Sequence, residues 1–242
     1  ELYNILFLKY KIEFFILNLI ILILWLGTFL IPVYFTPAIM LTSYMSVLTI
    51  CGTFSRFLFT KKRIYIIKLL FLFLNLIYFY LCFSKVFNQT QNCLLILSTT
   101  ITGLAGYCYL RFSGKFADRY NISSTQILAI RFWLIWVLSL IYVIYDHELS
   151  QFHLKYIPGT LLTSTFSLIL PIYFSQKSVE KIGADKSSIF MGLTPVAVII
   201  LQYFLINQTS QKDFISAIIL SLIITGFSGY NFIWSKIKTK IL

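Results

Sequence analysis

The chain has 242 residues, of which 59% are hydrophobic and only 12% are charged, and its formal net charge at pH 7 is +12. Soluble domains carry about twice that charged fraction, so the composition excludes an ordinary soluble domain. In lipid the backbone polar groups must be satisfied within the protein, which leaves helices and closed barrels as spanning structures. The run at residues 14–35 does not alternate in polarity and is too long for a barrel strand. The sequence therefore predicts helices.

Eight apolar stretches have about the 20-residue length that a membrane-spanning helix needs. They cover residues 14–35, 38–59, 64–84, 92–112, 126–145, 156–175, 187–206 and 214–235. We therefore expect an all-α polytopic membrane bundle with eight visible helices. The longest polar loop between them, residues 113–125, ends in Ser and Thr, which favours an N-cap for the helix that follows.

The basic residues between the spans indicate the topology. If the N- and C-termini are cytoplasmic, the outside loops contain only Lys85, Lys155 and Lys212 of the 20 lysines and arginines. Lys68 and Arg131 lie within spans, and the rest lie inside, as the positive-inside rule requires. We expect an integral membrane protein of a bacterial inner membrane with both termini cytoplasmic. Because topology explains the positive charge, nucleic acid is not an expected partner.

Residues 156–206 are typical of a helical hairpin. Two apolar spans are joined by a polar elbow, Gln176–Lys186, and each span is interrupted near its middle by a proline, Pro171 or Pro195. A proline inside a helix removes a hydrogen bond and bends the helix. These prolines are therefore candidate kink or gating positions, with a kink used only for packing as the alternative.

The second half of the chain carries a recognisable order of motifs. The stretches ITGLAGYCYL (101–110) and QILAIRFW (126–133) precede Gly183-Ala184 and Leu193-Thr194-Pro195-Val196, and SLIITGFSGYNFI (221–233) follows them. Over about 91–236 this order resembles one repeat of the drug/metabolite transporter superfamily, the EamA type. A departure is the acid that often follows the Leu-x-Pro-Val helix in that family, since Asn207 and Gln208 stand there.

The resemblance implies two inverted helical repeats. Residues 1–90 would be a first repeat, incomplete with about three helices, in which Trp25 and Gly27 stand where the family often has Trp-Gly. Residues 91–242 would be a second repeat of five helices with a basic C-terminal tail. The family typically has ten helices. Either this protein is reduced to eight, or residues are missing from the sequence around 87–91.

Inverted-repeat transporters bind substrate near the bilayer midplane, on interrupted helices. Arg131 is the strongest single candidate for a functional residue, because an ion within a span is energetically costly and usually functional. Snorkelling or structural pairing would also explain it. No acidic residue lies deep in a predicted span. The expected substrate-binding residues are polar or aromatic and lie within the spans: Trp25, Tyr44, Tyr78, Tyr107, Arg131, Ser164, Thr194 and Gln202.

The function expected from this resemblance is secondary transport. The protein would move small organic solutes, such as amino acids or related metabolites, by alternating access through a central cavity between the two repeats. The alternative is a non-transporting membrane subunit or scaffold derived from such a transporter. An enzyme is not expected, because both histidines, His147 and His153, lie in one external loop. No cofactor or metal is implied, and the sequence leaves a homodimer open.

Overall fold

All regular elements in the described part of the chain are helical. The computed structural model describes residues 10–35, 37–84, 89–145, 155 and 157–184, and the isolated positions 187, 191, 194, 198, 200, 204, 215 and 219. The segments are α1 (Lys11–Tyr34), α2 (Pro37–Thr60), α3 (Arg63–Ser84), α4 (Gln89–Tyr120), α5 (Ser124–Ile130), α6 (Trp133–Tyr145), α7 (Ile157–Ser164), a π-helical turn (Thr165–Ile169) and α8 (Leu170–Ile182). The all-α prediction is confirmed for these residues.

Three helical stretches of the described chain are long and apolar enough to cross a membrane. They are Lys11–Ile31, Gln89–Tyr120 and Ser124–Tyr145. A helix rises about 1.5 Å per residue, so a stretch of 21 residues already reaches the roughly 30 Å of a bilayer core. These stretches coincide with three of the predicted spans.

The number of predicted spans, eight, stays a prediction. Helices α2 and α3, of 24 and 22 residues, occupy the predicted spans 38–59 and 64–84. The predicted spans 187–206 and 214–235 lie outside the described residues, except for isolated positions. In the region around 87–91, where the sequence leaves two alternatives open, residues 87 and 88 lie outside the described residues and 89–91 begin helix α4.

The polar loop predicted at residues 113–125 is largely helical, so that prediction was wrong. Helix α4 has 32 residues and continues to Tyr120, a length of about 48 Å. Its apolar part ends near the predicted position, and the polar residues beyond continue the same helix. The chain then turns through Asn121, which has a positive φ of 52°, and the amide of Ile122 donates to the carbonyl of Ala117 at 3.1 Å. This is the hydrogen bond that closes a helix with a left-handed residue.

The predicted N-cap is confirmed at Ser123. Its hydroxyl accepts a hydrogen bond from the Gln126 amide, and the side chain of Gln126 accepts one from the Ser123 amide at 2.8 Å. This reciprocal arrangement is a capping box, which satisfies two backbone donors that have no partner within the helix. Helix α5 therefore begins abruptly after the turn.

The polar elbow predicted at Gln176–Lys186 is shorter than expected. Helix α8 continues to Ile182 and ends at Gly183, whose φ of 83° favours glycine and whose amide donates to Val179 at 2.9 Å. The prediction was wrong for Gln176, whose side chain is buried instead of facing water. Polar sequence alone did not distinguish a loop from the polar end of a helix.

One compact unit comprises Ile23–Cys108 and Asp185–Leu242. Within it α2 and α3 pack together as a hairpin around Lys61, which has a positive φ of 51° and donates its amide to Phe57 at 2.7 Å. The core of this unit consists of buried apolar side chains: Ile31, Phe35, Ile39, Met40, Ile50, Leu69, Leu72 and Leu95. Helix α4 approaches α2 closely at Gly103.

The other compact unit comprises Glu1–Leu22 and Tyr109–Ala184. At one end of it the ring of Tyr10 packs on Tyr120 with centroids 4.0 Å apart, and the Tyr120 hydroxyl donates to Glu13 at 3.2 Å. Helix α5 packs against α8. The division of the chain into repeats 1–90 and 91–242 stays a prediction.

Candidate functional site

The predicted span 126–145 is interrupted near its start, at Arg131. Helix α5 ends at Ile130, Arg131 and Phe132 form a turn, and α6 begins at Trp133. The amide of Arg131 still donates to the carbonyl of Ile127 at 3.2 Å. The predicted span itself is confirmed as the apolar stretch Ser124–Tyr145, which includes this turn. Interrupted helices in membranes are tolerated where other groups satisfy the freed backbone.

The side chain of Asn18 in α1 satisfies the backbone at this interruption. Its amide nitrogen donates to the carbonyl of Ile130 at 3.1 Å, and its oxygen accepts from the amide of Leu134 at 3.3 Å. The same nitrogen also donates to Phe14 at 3.0 Å within α1. Asn18 is only 2% exposed, so these bonds form away from water. The interruption is thus held from a neighbouring helix.

Arg131 is buried, with 4% of its surface exposed. Its Nη1 donates a hydrogen bond to the hydroxyl of Tyr109, and its guanidinium carbon lies 5.1 Å from the Tyr109 ring centre and 4.6 Å from that of Phe132. Aromatic faces attract a cation at such distances. Its Nε is buried and has no hydrogen-bond partner. Snorkelling to the membrane surface, one of the two alternatives for Arg131, does not describe this geometry.

Tyr109 connects Arg131 to helix α8. Its hydroxyl, which accepts from Arg131, donates to Oε1 of Gln176. Tyr109 is 4% exposed and Gln176 is 1% exposed. Two buried hydrogen bonds therefore join three segments of the chain. Arg131 donates to Tyr109 of α4, and Tyr109 donates to the neutral amide of Gln176 in α8.

A carboxylate lies beyond this chain, on the next turn of α8. Glu180 accepts hydrogen bonds from the hydroxyl and the amide of Ser124, the latter at 3.2 Å, and from Nζ of Lys177 at 2.8 Å. The bond from Lys177, followed by the bond from the Ser124 hydroxyl, lowers the pKa of Glu180 to about 2. The same contact raises the pKa of Lys177. The side chain of Glu180 is about two fifths exposed, and its hydrogen bonds to Ser124 connect α8 to α5.

Three of the expected substrate-binding residues lie in the unit that contains α2 and α3. Trp25 is half-buried, with its ring 5.2 Å from that of Phe29. Tyr44 packs against the apolar core of the unit, and Tyr107 is buried at 8% exposure. Their assignment as substrate-binding residues stays a prediction.

The other expected residues fall in three groups. Ser164 is half-buried at the end of α7, and Thr194 is an exposed helical residue. Tyr78 belongs to α3, but its side chain lies outside what the structure describes. Gln202 and Pro195 also lie outside the described residues.

Pro171 follows a π-helical turn, Thr165–Ile169, at the start of α8. The Leu170 amide donates to the carbonyl of Thr165, five residues earlier. In a regular α-helix the proline ring would clash with the carbonyl four residues before it. The wider π turn avoids that clash, and such turns frequently mark functional sites. An irregularity at Pro171 is therefore observed, and its role in gating stays a prediction.

Sequence reasoning missed Asn18, Tyr109 and Gln176. Asn18 offers a usable signal, because an amide within an apolar run requires a partner in lipid. Tyr109 carries no such signal among 16 tyrosines, and Gln176 was assigned to the elbow. Within the described residues, no group of three His, Cys, Asp or Glu side chains could hold a metal ion.

In the described part of the chain every regular element is helical, and three stretches are long and apolar enough to cross a membrane. These features are typical of the class of helical membrane proteins. Residues 89–230 match the model of the EamA-like transporter family. Because the match covers more than half of the chain, the protein belongs to this family of transporters, and the resemblance inferred from the motifs is confirmed. No curated protein matches the chain. No solved structure matches it either.

Proposed function

We propose that this protein is a secondary transporter that moves small organic solutes, such as amino acids or related metabolites, across a bacterial inner membrane. Membership of the EamA-like transporter family supports transport of small solutes. The observation that carries the proposal is the buried Arg131 at a helix interruption within an apolar span. Buried ions in membrane helices are rare and mark substrate or ion paths.

The mechanism that we propose is alternating access, with a central cavity between the repeats 1–90 and 91–242. Arg131 would contribute a fixed positive charge, and the aromatic and hydroxyl side chains expected in the spans would surround the rest of the solute. Those residues are Trp25, Tyr44, Tyr78, Tyr107, Ser164, Thr194 and Gln202. The π turn before Pro171, and Pro195 in the following span, would allow these helices to bend.

Uptake by reconstituted vesicles tests this function. The purified protein is placed in liposomes, and uptake and efflux of a labelled metabolite panel are followed with and without a proton gradient. We expect saturable transport of at least one organic solute above the rate in protein-free vesicles. Transport of inorganic ions alone would overturn the proposal. Transport of nothing would favour the non-transporting membrane subunit.

A further inference from the structure

The guanidinium of Arg131 has hydrogen-bonding capacity that the described residues do not use. An arginine offers five N–H donors in a rigid fork. Nη1 donates to Tyr109, and neither Nε nor Nη2 donates to a described residue. Nε and Nη2 form the side-on edge of the fork. The buried Nε has no hydrogen-bond partner, and no described residue accepts a hydrogen bond from this edge.

The charge of Arg131 is also uncompensated in the described part of the chain. None of the carboxylates there pairs with it, and Glu180 is engaged by Lys177 and Ser124. The rings of Tyr109 and Phe132 attract the cation, but they do not replace hydrogen-bond acceptors along the open edge. A buried cation without a counter-ion is unfavourable, so the site is complementary to an anion.

We propose that this open edge binds the carboxylate of the transported solute, a deepening that rests on the proposed transport function. The Nε–Nη2 edge matches the two oxygens of a carboxylate, which it can bind through two parallel hydrogen bonds. One buried cation balances one negative charge, which favours a monoanion over a doubly charged phosphate. The substrate class is therefore small organic acids, amino acids included.

Tyr109 and Gln176 are positioning residues in this arrangement. Tyr109 accepts the hydrogen bond from Nη1, which leaves the opposite edge of the fork directed away from that bond. Oε1 of Gln176 fixes the Tyr109 hydroxyl by accepting its hydrogen bond. A lysine at position 131 would keep the charge but present no planar edge. The lysine variant therefore separates the effect of the positive charge from the effect of the planar Nε–Nη2 edge.

The experiment compares acids with the carboxamides that lack the carboxylate, in vesicles made of phosphatidylcholine alone, so that no anionic lipid headgroup competes. Leucine, phenylalanine and lactate are each paired with the corresponding amide. Uptake of each labelled acid and its inhibition by the amide are measured for wild-type protein and for R131Q, R131K and Y109F. The matched control is R119Q, which removes a positive charge from an exposed position on α4.

We expect wild-type protein to transport one or more acids and to be inhibited weakly by the matching amide. R131Q is expected to lose about tenfold or more in kcat/KM for the acid, and R119Q to stay within about twofold of wild type. R131K and Y109F are expected to raise the KM for the acid several-fold while the inhibition constant of the amide stays unchanged. A change in the KM for the acid without a change in the inhibition constant of the amide would not arise from a loss of folding.

Four results would overturn the inference. If amides compete as well as acids, or if R131Q transports acids like wild type, the carboxylate site is wrong while the transport function stands. If wild-type protein transports no organic solute, the transport function fails and the site fails with it. Should R131Q aggregate in size-exclusion chromatography, an unchanged KM for acids in both R131K and Y109F would reject the site.

Discussion

Asn18 in α1 donates its side-chain amide to the carbonyl of Ile130 at 3.1 Å, across 112 positions of sequence. The same side chain accepts from Leu134, on the other side of the helix interruption. Two backbone groups that the interruption frees are therefore satisfied by one residue of another helix. These two hydrogen bonds fix the position of the turn that contains Arg131.

Replacement of Asn18 by leucine is expected to destabilise the protein by about 1–3 kcal/mol. The change leaves the carbonyl of Ile130 and the amide of Leu134 buried without partners, and an unsatisfied buried group costs about that much. The free energy of unfolding, measured by denaturant titration in mixed micelles, tests this. The control is Ser139→Ala on the exposed face of α6, which should change it by less than about 0.5 kcal/mol. Equal effects of the two substitutions would contradict the role of Asn18.

Gly103→Ala is expected to destabilise the protein by about 1–3 kcal/mol through overpacking. A Cβ atom there would lie 2.6 Å from Cβ of Val47 and 2.8 Å from the carbonyl oxygen of Tyr44, which is backbone and cannot move aside. The matched control is Gly159→Ala in α7, where nothing lies within 4 Å of the added atom. That control should be neutral or stabilising by up to about 1 kcal/mol, because alanine favours helix. Thermal unfolding of the two variants in detergent compares them, and a harmless Gly103→Ala would refute the close packing of α4 on α2.

The contact of Glu180 with Ser124 and Lys177 is expected to lose its stabilising effect only at acidic pH. The folded-state pKa of Glu180 is about 2, below the ordinary value of 4.5. Because the folded-state pKa is lowered, its stabilisation is complete above about pH 4.5 and is lost as the pH falls towards 2. The melting temperatures of wild type and Glu180→Gln should therefore differ by a constant amount from pH 7 to 5 and converge below pH 4.5. A difference that vanishes between pH 7 and 5 would show that the contact does not form.

Pro171→Ala is expected to reduce transport more than stability. The substitution restores an amide donor and removes the ring, so the π turn before it can convert to regular α-helix. We expect the maximal transport rate to fall several-fold while the free energy of unfolding changes by less than about 1 kcal/mol. Pro158→Ala is the control, since Pro158 lies in the first turn of α7, where a missing amide proton is tolerated. If both variants transport like wild type, Pro171 serves packing alone.

Much of the helical framework was predictable because lipid imposes a simple length requirement. Helices α1, α2 and α3 begin and end within a few residues of the predicted spans. The predictions failed at α4 and α8, where polar residues continue a helix beyond its apolar part. Hydropathy measures which solvent a segment prefers, and it does not report where hydrogen bonding along the backbone stops.

The candidate site was predictable only in part. Arg131 was identified because a charge within an apolar run is costly wherever the chain folds. Its partners Tyr109 and Gln176 were not identified, since their sequence separations of 22 and 45 positions carry no periodic signal. Residue type and predicted depth alone point to Trp25, Tyr44 and Tyr107, so their role in binding stays a prediction.

The sequence by itself determined that the chain is helical, that it is apolar enough for a membrane, and that it belongs to a transporter family. Those properties follow from composition, run length and ordered motifs, which need no three-dimensional information. Only the tertiary structure decided that Asn18 spans the helix interruption and that Nε of Arg131 is buried without a hydrogen-bond partner. Hydrogen bonds between distant segments depend on how the helices pack, and side-chain direction at a helix interruption is set by that packing.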